Sequence, residues 1–272
     1  MISFSISTRQ IPKKTTIRNY DFVLSRFCKE LADREAETIS QEEILTFLNQ
    51  LTRGAAQSTK RLRFSLLRAF FNFIIESSDQ RFQNPCDCRV LRKIFKEPKP
   101  VQWKILEKET VDEIIFRTRN PRNRLILELM ARGGMRIGEV LSLTPRDIDD
   151  RKIAIRNPKS GRQTEVVFIP RKLAERLKEY VRVKGIEPTG RIFPITYAAA
   201  RTVVNKAGGL VGTHLRPHDL RRHAATYASR SGTPIEIVSK VILRHANLAT
   251  TQRYLGKVSD LEAIRWIENL YG

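Results

Sequence analysis

The sequence is poor in what would tie it to a membrane, an oxidising compartment or a metal. Its three cysteines, Cys28, Cys86 and Cys88, form neither a disulfide framework nor a zinc site, since Cys86-x-Cys88 has no second pair. They read as reduced thiols of a cytoplasmic protein. No apolar run is long enough to span a bilayer, and the start, MISFSISTRQIPKK, lacks the basic segment and apolar core of a signal peptide. Acidic residues are also short: 29 Asp and Glu stand against 50 Lys and Arg, a net charge of +21. Such a balance points to a polyanionic partner, nucleic acid first, with a merely basic solvated surface as the bland alternative. Hydrophobic residues, at 41% of 272, suffice for two compact cores and argue against disorder.

Histidine is scarce too, and its placement is informative. All four, His214, His218, His223 and His245, fall within one stretch, HLRPHDLRRHAATYASRSGTPIEIVSKVILRHANLATTQRY. Arg221 follows His218 by three positions and shares its helix face. Ser231-Gly232-Thr233-Pro234 breaks the chain, and Ile235, Val238, Val241 and Ile242 then repeat with helical period up to Arg244-His245. Tyr254 follows a short polar link. Arginine forks match phosphate oxygens, histidine moves protons near neutrality, and a tyrosine hydroxyl is a nucleophile once its charge is stabilised. No Asp/Glu/His set is spaced for a metal, so the expected chemistry is phosphoryl transfer without metal or cofactor.

His218-Asp219-Leu220-Arg221, Leu243-Arg244-His245 and Thr250-Thr251-Gln252-Arg253-Tyr254 together resemble the catalytic signature of tyrosine site-specific recombinases, the phage-type integrases and Xer-type recombinases. Gly133-Gly134-Met135-Arg136-Ile137-Gly138-Glu139 is similar to that family's first arginine box. Lys159, in Asn157-Pro158-Lys159-Ser160-Gly161 between two strand-like runs, matches its hairpin lysine. One departure stands out: the family usually has glycine before the last histidine, where this chain has Arg244.

The resemblance implies a set of roles. Arg136 and Arg221 clamp a scissile phosphate. Tyr254 attacks it to form a 3′-phosphotyrosyl bond, and Lys159 protonates the leaving 5′-oxygen. His218 assists proton movement, and His245 bonds a phosphate oxygen. Glu139 and Asp219 orient these groups. Neither ATP nor a metal ion is implied. The implied partner is a double-stranded DNA recombination site, bound by a homotetramer on two duplexes that is a monomer or weak oligomer when free. The implied location is the cytoplasm, at the nucleoid.

The rest of the chain predicts a mainly α protein with a small β-hairpin or sheet, an α+β fold. Residues 1–98 read as a helical, SAM-like core-binding domain, 99–104 as a linker, 105–258 as the catalytic domain and 259–272 as a tail helix. Ser40-Gln41-Glu42-Glu43 is a capping box opening the second helix. In the third, Leu62, Leu66, Phe70, Phe73 and Ile74 are expected to face the core. Arg61, Ser65, Arg68 and Asn72 make a polar stripe, from which Lys60, Arg61 and Arg68 are candidate DNA contacts. KIAIR (152–156) and QTEVVFI (163–169) read as a hairpin. Tyr20 and Tyr227 fit core positions. In the tail, Ser259 caps a helix carrying Leu261, Ile264, Trp266, Ile267 and Leu270. Taken singly, each candidate has a bland reading as a cap, a solvated lysine or a packed tyrosine. Their shared order and context favour the recombinase. The alternatives are a type IB topoisomerase-like strand relaxation, a non-catalytic DNA-binding regulator on the same fold, and a metal-dependent transposase or relaxase.

Overall fold

In the computed structural model the chain divides into two compact units, Met1–Pro100 and Val101–Gly272. The structure describes residues 14–31, 34–77, 82–97, 105–156, 158, 164–252, 255 and 260–271. The 99–104 linker, Lys159, Tyr254 and Ser259 lie outside these.

The first unit contains helices α1 (Lys14–Leu31), α2 (Gln41–Leu51), α3 (Gln57–Ser77) and α4 (Arg89–Ile94). The capping box forms as its sequence predicts: Ser40 Oγ accepts the Glu43 N–H at 3.2 Å, and Glu43 Oε2 accepts the Ser40 N–H at 2.9 Å. Phe27 meets Phe47 and Phe71 edge-on, with ring centroids 5.2 and 5.7 Å apart, and Phe64 stacks on Phe95. These rings fill the core with Val23, Ile44, Leu48 and Leu67.

The expected face of α3 needs correction. Its buried residues are Phe64, Leu66, Leu67 and Phe71, while Leu62 is 45% exposed and Phe73 41%. Leucine and phenylalanine recur on both stripes of this helix, so periodicity alone does not choose between them; the rings of Phe27, Phe47 and Phe95 do. The polar stripe is engaged within the unit. Arg68 Nε donates to Asp87 Oδ1 at 2.5 Å, Asn72 Oδ1 accepts from Asn84 at 2.5 Å, and Lys60 and Arg61 are half-buried.

The second unit begins with α5 (Lys108–Arg117) and α6 (Pro121–Arg132). Asn120 caps α6 by accepting the Asn123 N–H at 3.1 Å, and Pro121 takes the first helical position, where its missing N–H costs nothing. Then come α7 (Ile137–Ser142) and a three-stranded antiparallel sheet, β1 (Ile148–Asp149), β2 (Lys152–Arg156) and β3 (Thr164–Phe168). In the β2–β3 register Ile153 faces Val167 and Ile155 faces Glu165. The inward face therefore carries Ile153, Ile155 and Val167, and also one carboxylate, Glu165, which is buried.

Helices α8 (Arg171–Val183), α9 (Tyr197–Gly209) and α10 (Pro217–Arg230) follow. After a turn, α11 (Ile235–Ile237) runs on into a π-turn, Val238–Ile242. The chain closes with α12 (Leu248–Gln252) and α13 (Asp260–Tyr271). One apolar core joins α5, α6, α7, the sheet, α8, α9 and the start of α10. A smaller cluster, Ala225, Val238 and Leu243 with Leu255 against it, supports the C-terminal part. Tyr227 departs from its expected core position: it is exposed and stacks on His223. Among the described residues no helix is long and apolar enough to cross a membrane.

Candidate active site

The site is built where the end of α6 meets the π-turn. Gly133 caps α6, and Gly134 turns the chain with φ +59°, a conformation that favours glycine. A Cβ on Gly134 would lie 2.8 Å from the Ile242 carbonyl oxygen, so the two segments touch through backbone. Arg221 joins them. Among the described residues it is the largest fully buried side chain, and its two Nη atoms donate to the carbonyls of Gly134 and Leu243. A guanidinium withdrawn from water needs such acceptors. Arg221 thus holds together the loops that lead, two residues later in each case, to Arg136 and His245.

Arg136 is the N-cap of α7. Glu139, three residues on, accepts the Arg136 backbone N–H at 2.8 Å with one oxygen and the Arg136 Nη1 at 2.6 Å with the other. The Arg136 side chain keeps 23% exposure, so it is tethered but open. Glu139 also receives Arg244 Nη2 at 2.7 Å, and Arg244 Nε reaches Glu165 on β3 at 3.2 Å. Burial works to raise the Glu139 carboxyl, but Arg244 and the bonds from Arg136 outweigh it and hold the group below the usual carboxylate range.

His245 leaves the π-turn with its N–H on the Ser239 carbonyl at 2.9 Å. Its Nδ1 lies 3.0 Å from Thr251 Oγ1 on α12, which in turn bonds Ser239 Oγ at 2.8 Å. This hydroxyl chain orients the ring and ties it to the helix that precedes Tyr254. Burial first, then Arg221, Arg136 and Arg244, pushes His245 down to about 4. Burial, then Arg221, Arg222 and Arg136, also lowers His218, with Asp219 opposing. Both imidazoles are therefore neutral near pH 7. The same cationic field that opposes an imidazolium favours an incoming anion.

A groove of about 990 Å³ borders His218, lined among others by Arg201, His214, Arg216 and Arg222. Asp219 closes the N-terminus of α10 by accepting the Arg216 N–H at 2.8 Å and pairs with Arg222 at 3.0 Å, so it serves the helix start and the groove wall. The structure thus brings Arg136, Glu139, His218, Arg221 and His245 to one junction. Lys159 and Tyr254 lie outside the described residues, but their flanks are placed: β2 and β3 bracket the first, and the packed Thr251 and Leu255 bracket the second. Lys60, Arg61 and Arg68 belong to the other unit. Sequence reasoning missed Ser239, Thr251, Glu165 and the side-chain role of Arg244. Two of these left a signal: alternation puts Glu165 on the face of Val167 and Ile169, and Arg244 stands where the family usually has glycine.

Residues 104–259 match the model of the phage integrase family, and residues 6–77 that of the phage integrase N-terminal SAM-like domain. The chain belongs to the phage integrase family. As a tyrosine recombinase it is an enzyme of site-specific DNA recombination. It is 29% identical over 276 residues to the tyrosine recombinase XerA of Pyrococcus horikoshii, covering 95% of this chain and 90% of that protein. Two solved structures share its fold. One is XerH recombinase bound to palindromic difH substrate, with TM-score 0.72 and 20% identity over 94% of this chain and 79% of that one. The other is a lambda integrase (75–356) dimer bound to a COC′ core site, with TM-score 0.70 and 20% identity over 93% and 94%. Among its described residues the recombinase is mainly helical with one small sheet, as its sequence predicts. The family match and the likeness to the XerA recombinase favour recombination over topoisomerase-like relaxation or non-catalytic regulation.

Proposed function

We propose that the recombinase cleaves and rejoins DNA through Tyr254, with Arg136, Lys159, His218, Arg221 and His245 as the other catalytic residues and Glu139 and Asp219 orienting them. The observation that carries this reading is the convergence of Arg136, His218, Arg221 and His245 on one cationic junction next to a basic groove.

The scissile phosphate sits against Arg136, whose open fork binds its non-bridging oxygens. Arg221 exchanges carbonyl partners for phosphate oxygen as the DNA settles, and its charge stabilises the pentavalent transition state. Neutral His218 takes the tyrosine proton as the phenolic oxygen attacks phosphorus. Neutral His245 donates one hydrogen bond to the phosphate from Nε2 once the Thr251 hydroxyl turns its proton from Ser239 to Nδ1. Lys159 gives its proton to the departing 5′-oxygen, and the bond energy is held in the 3′-phosphotyrosine. Attack by a different 5′-hydroxyl then exchanges strands.

Residues 1–98 act as the core-binding domain, with Lys60, Arg61 and the Asp87-paired Arg68 near phosphates. Residues 99–104 link it to the catalytic domain, 105–258. The tail, 259–272, docks onto a neighbouring protomer so that four chains assemble on two duplexes at the nucleoid. Ile264 and Ile267 are exposed on α13, which leaves them available to such a partner.

The test is covalent trapping on a nicked duplex selected from a randomised pool by capture on the unaltered chain. Tyr254→Phe should bind that duplex and form no adduct. Normal adduct levels would move the nucleophile elsewhere, with exposed Tyr227 the next suspect.

A further inference from the structure

Arg244 stands where its backbone favours glycine, with φ +52°, and where this family's motif usually has glycine. Its side chain is nevertheless buried and fully engaged. Nη2 bonds Glu139 at 2.7 Å, Nε bonds Glu165 at 3.2 Å and Nη1 bonds the Ile242 carbonyl at 2.9 Å. Only 3% of the residue is exposed, so it has no surface to offer a substrate. Whatever it does for the reaction, it does through the groups it touches.

The charged groups among these are two carboxylates. Glu165 projects from the inward face of β3, opposite Ile155, and its Oε1 has no hydrogen-bond partner among the described residues. Glu139 is shared between Arg244 and Arg136. One buried anion, Glu139, therefore touches the arginine whose fork is open to the phosphate, and Arg244 bridges it to the second, Glu165. A buried carboxylate stripped of its cation seeks another. Arg136 is already hydrogen-bonded to Glu139, so it is the cation at hand, and drawing it inward would remove it from the phosphate. Among the described residues, the other charged or titratable groups facing this cluster are Arg221 and His218 from α10 and His245 on its own segment.

We propose that Arg244 is a positioning residue that neutralises Glu139 and Glu165 together, so that Arg136 stays turned toward the scissile phosphate. The inference rests on the reading of Arg136 as a phosphate ligand. It makes Arg244 and Glu165 a matched pair: a chain with glycine at 244 functions only if position 165 carries no charge.

The experiment uses the full chain and the selected nicked duplex. It compares single-turnover adduct formation for the unaltered protein, Arg244→Gly, Arg244→Lys, Glu165→Gln and the double variant R244G/E165Q, at pH 8 and pH 6. R244G should bind the duplex with nearly unchanged affinity yet cleave at least about tenfold more slowly at pH 8, because an uncompensated buried carboxylate competes for Arg136. Acid favours the uncharged form of a buried carboxylate, so the deficit relative to the unaltered chain should be smaller at pH 6 than at pH 8. R244G/E165Q should cleave within about threefold of the unaltered chain at both pH values, since replacing both partners removes the conflict. E165Q alone should be nearly silent, and R244K intermediate.

A merely structural role predicts loss of binding or melting temperature in step with activity, and a deficit that does not shrink on acidification. R244G cleaving at the full rate, or the double variant cleaving no better than R244G, overturns the proposal. If R244G does not fold, R244K against R244K/E165Q gives the same comparison, with failure to rescue as the refuting result. If the unaltered chain forms no adduct on any selected duplex, the recombinase chemistry itself fails, separately from the role of Arg244.

Discussion

Gly134→Ala tests the backbone junction directly. The position has φ +59°, and an added Cβ would lie 2.8 Å from the Ile242 oxygen and 2.9 Å from its Cγ2. Left-handed backbone costs a residue with a Cβ about 1–2 kcal/mol. Forcing a methyl group into a closed contact adds about 1–3 kcal/mol, so the sum is about 2–5 kcal/mol. For a unit of this size each kcal/mol moves the melting point by about 2–4 °C, so the catalytic unit should melt roughly 4–20 °C lower. Cleavage should fall further than stability alone explains, because the displaced Gly134 carbonyl is an acceptor for Arg221. Gly138→Ala is the matched control. A Cβ there meets nothing within 4 Å and its φ is not positive, so the change should be neutral or stabilise α7 by about 0.5–1 kcal/mol. Thermal unfolding followed by circular dichroism reads both variants, and covalent trapping reads the function. A Gly134→Ala protein that melts within about 1 °C of the unaltered chain and cleaves normally would refute the argument that this close approach builds the site.

The two arginines should separate. Arg136→Ala should cost about 10²–10³ in cleavage with little change in melting, because the side chain is partly open; a large loss of stability would contradict that geometry. Arg221→Ala should lose cleavage and also lower stability by about 3–5 kcal/mol, since it empties a buried site and strands two carbonyls. Melting and adduct assays on both variants check the distinction. His245 is held neutral in the folded chain at about 4, below its unfolded value of about 6.5, so the unfolded chain takes up the proton first. Its contribution to stability is full above about pH 6.5 and is lost as the pH falls toward 4. The urea midpoint should therefore drop more between pH 7.5 and 5 than it does in His245→Gln, and equal drops would show that the imbalance is not there. Deleting residues 259–272 should leave single-site binding nearly intact and impair exchange between two sites; recombination at the full rate would remove the tail from assembly.

Much of this protein is determined locally and can be read from its sequence. The Ser40 box, the Asn120-Pro121 start of α6 and the KIAIR/TEVVF pairing depend on neighbours a few residues away, or on strict alternation. The order of Arg136, Lys159, His218, Arg221, His245 and Tyr254 is likewise a property of the chain alone. What tertiary structure decided lies wherever a side chain had a choice of distant partners. The buried stripe of α3 was chosen by rings on other helices. Arg221 took the carbonyls of Gly134 and Leu243, and Arg244, in a position that favours glycine, found Glu139 and Glu165. Glu139 and Arg244 are 105 residues apart, and Gly134 and Arg221 are 87 apart. No periodicity encodes such pairings. They form because a buried charge or carbonyl left alone is costly, and only the folded chain brings the compensating group within reach.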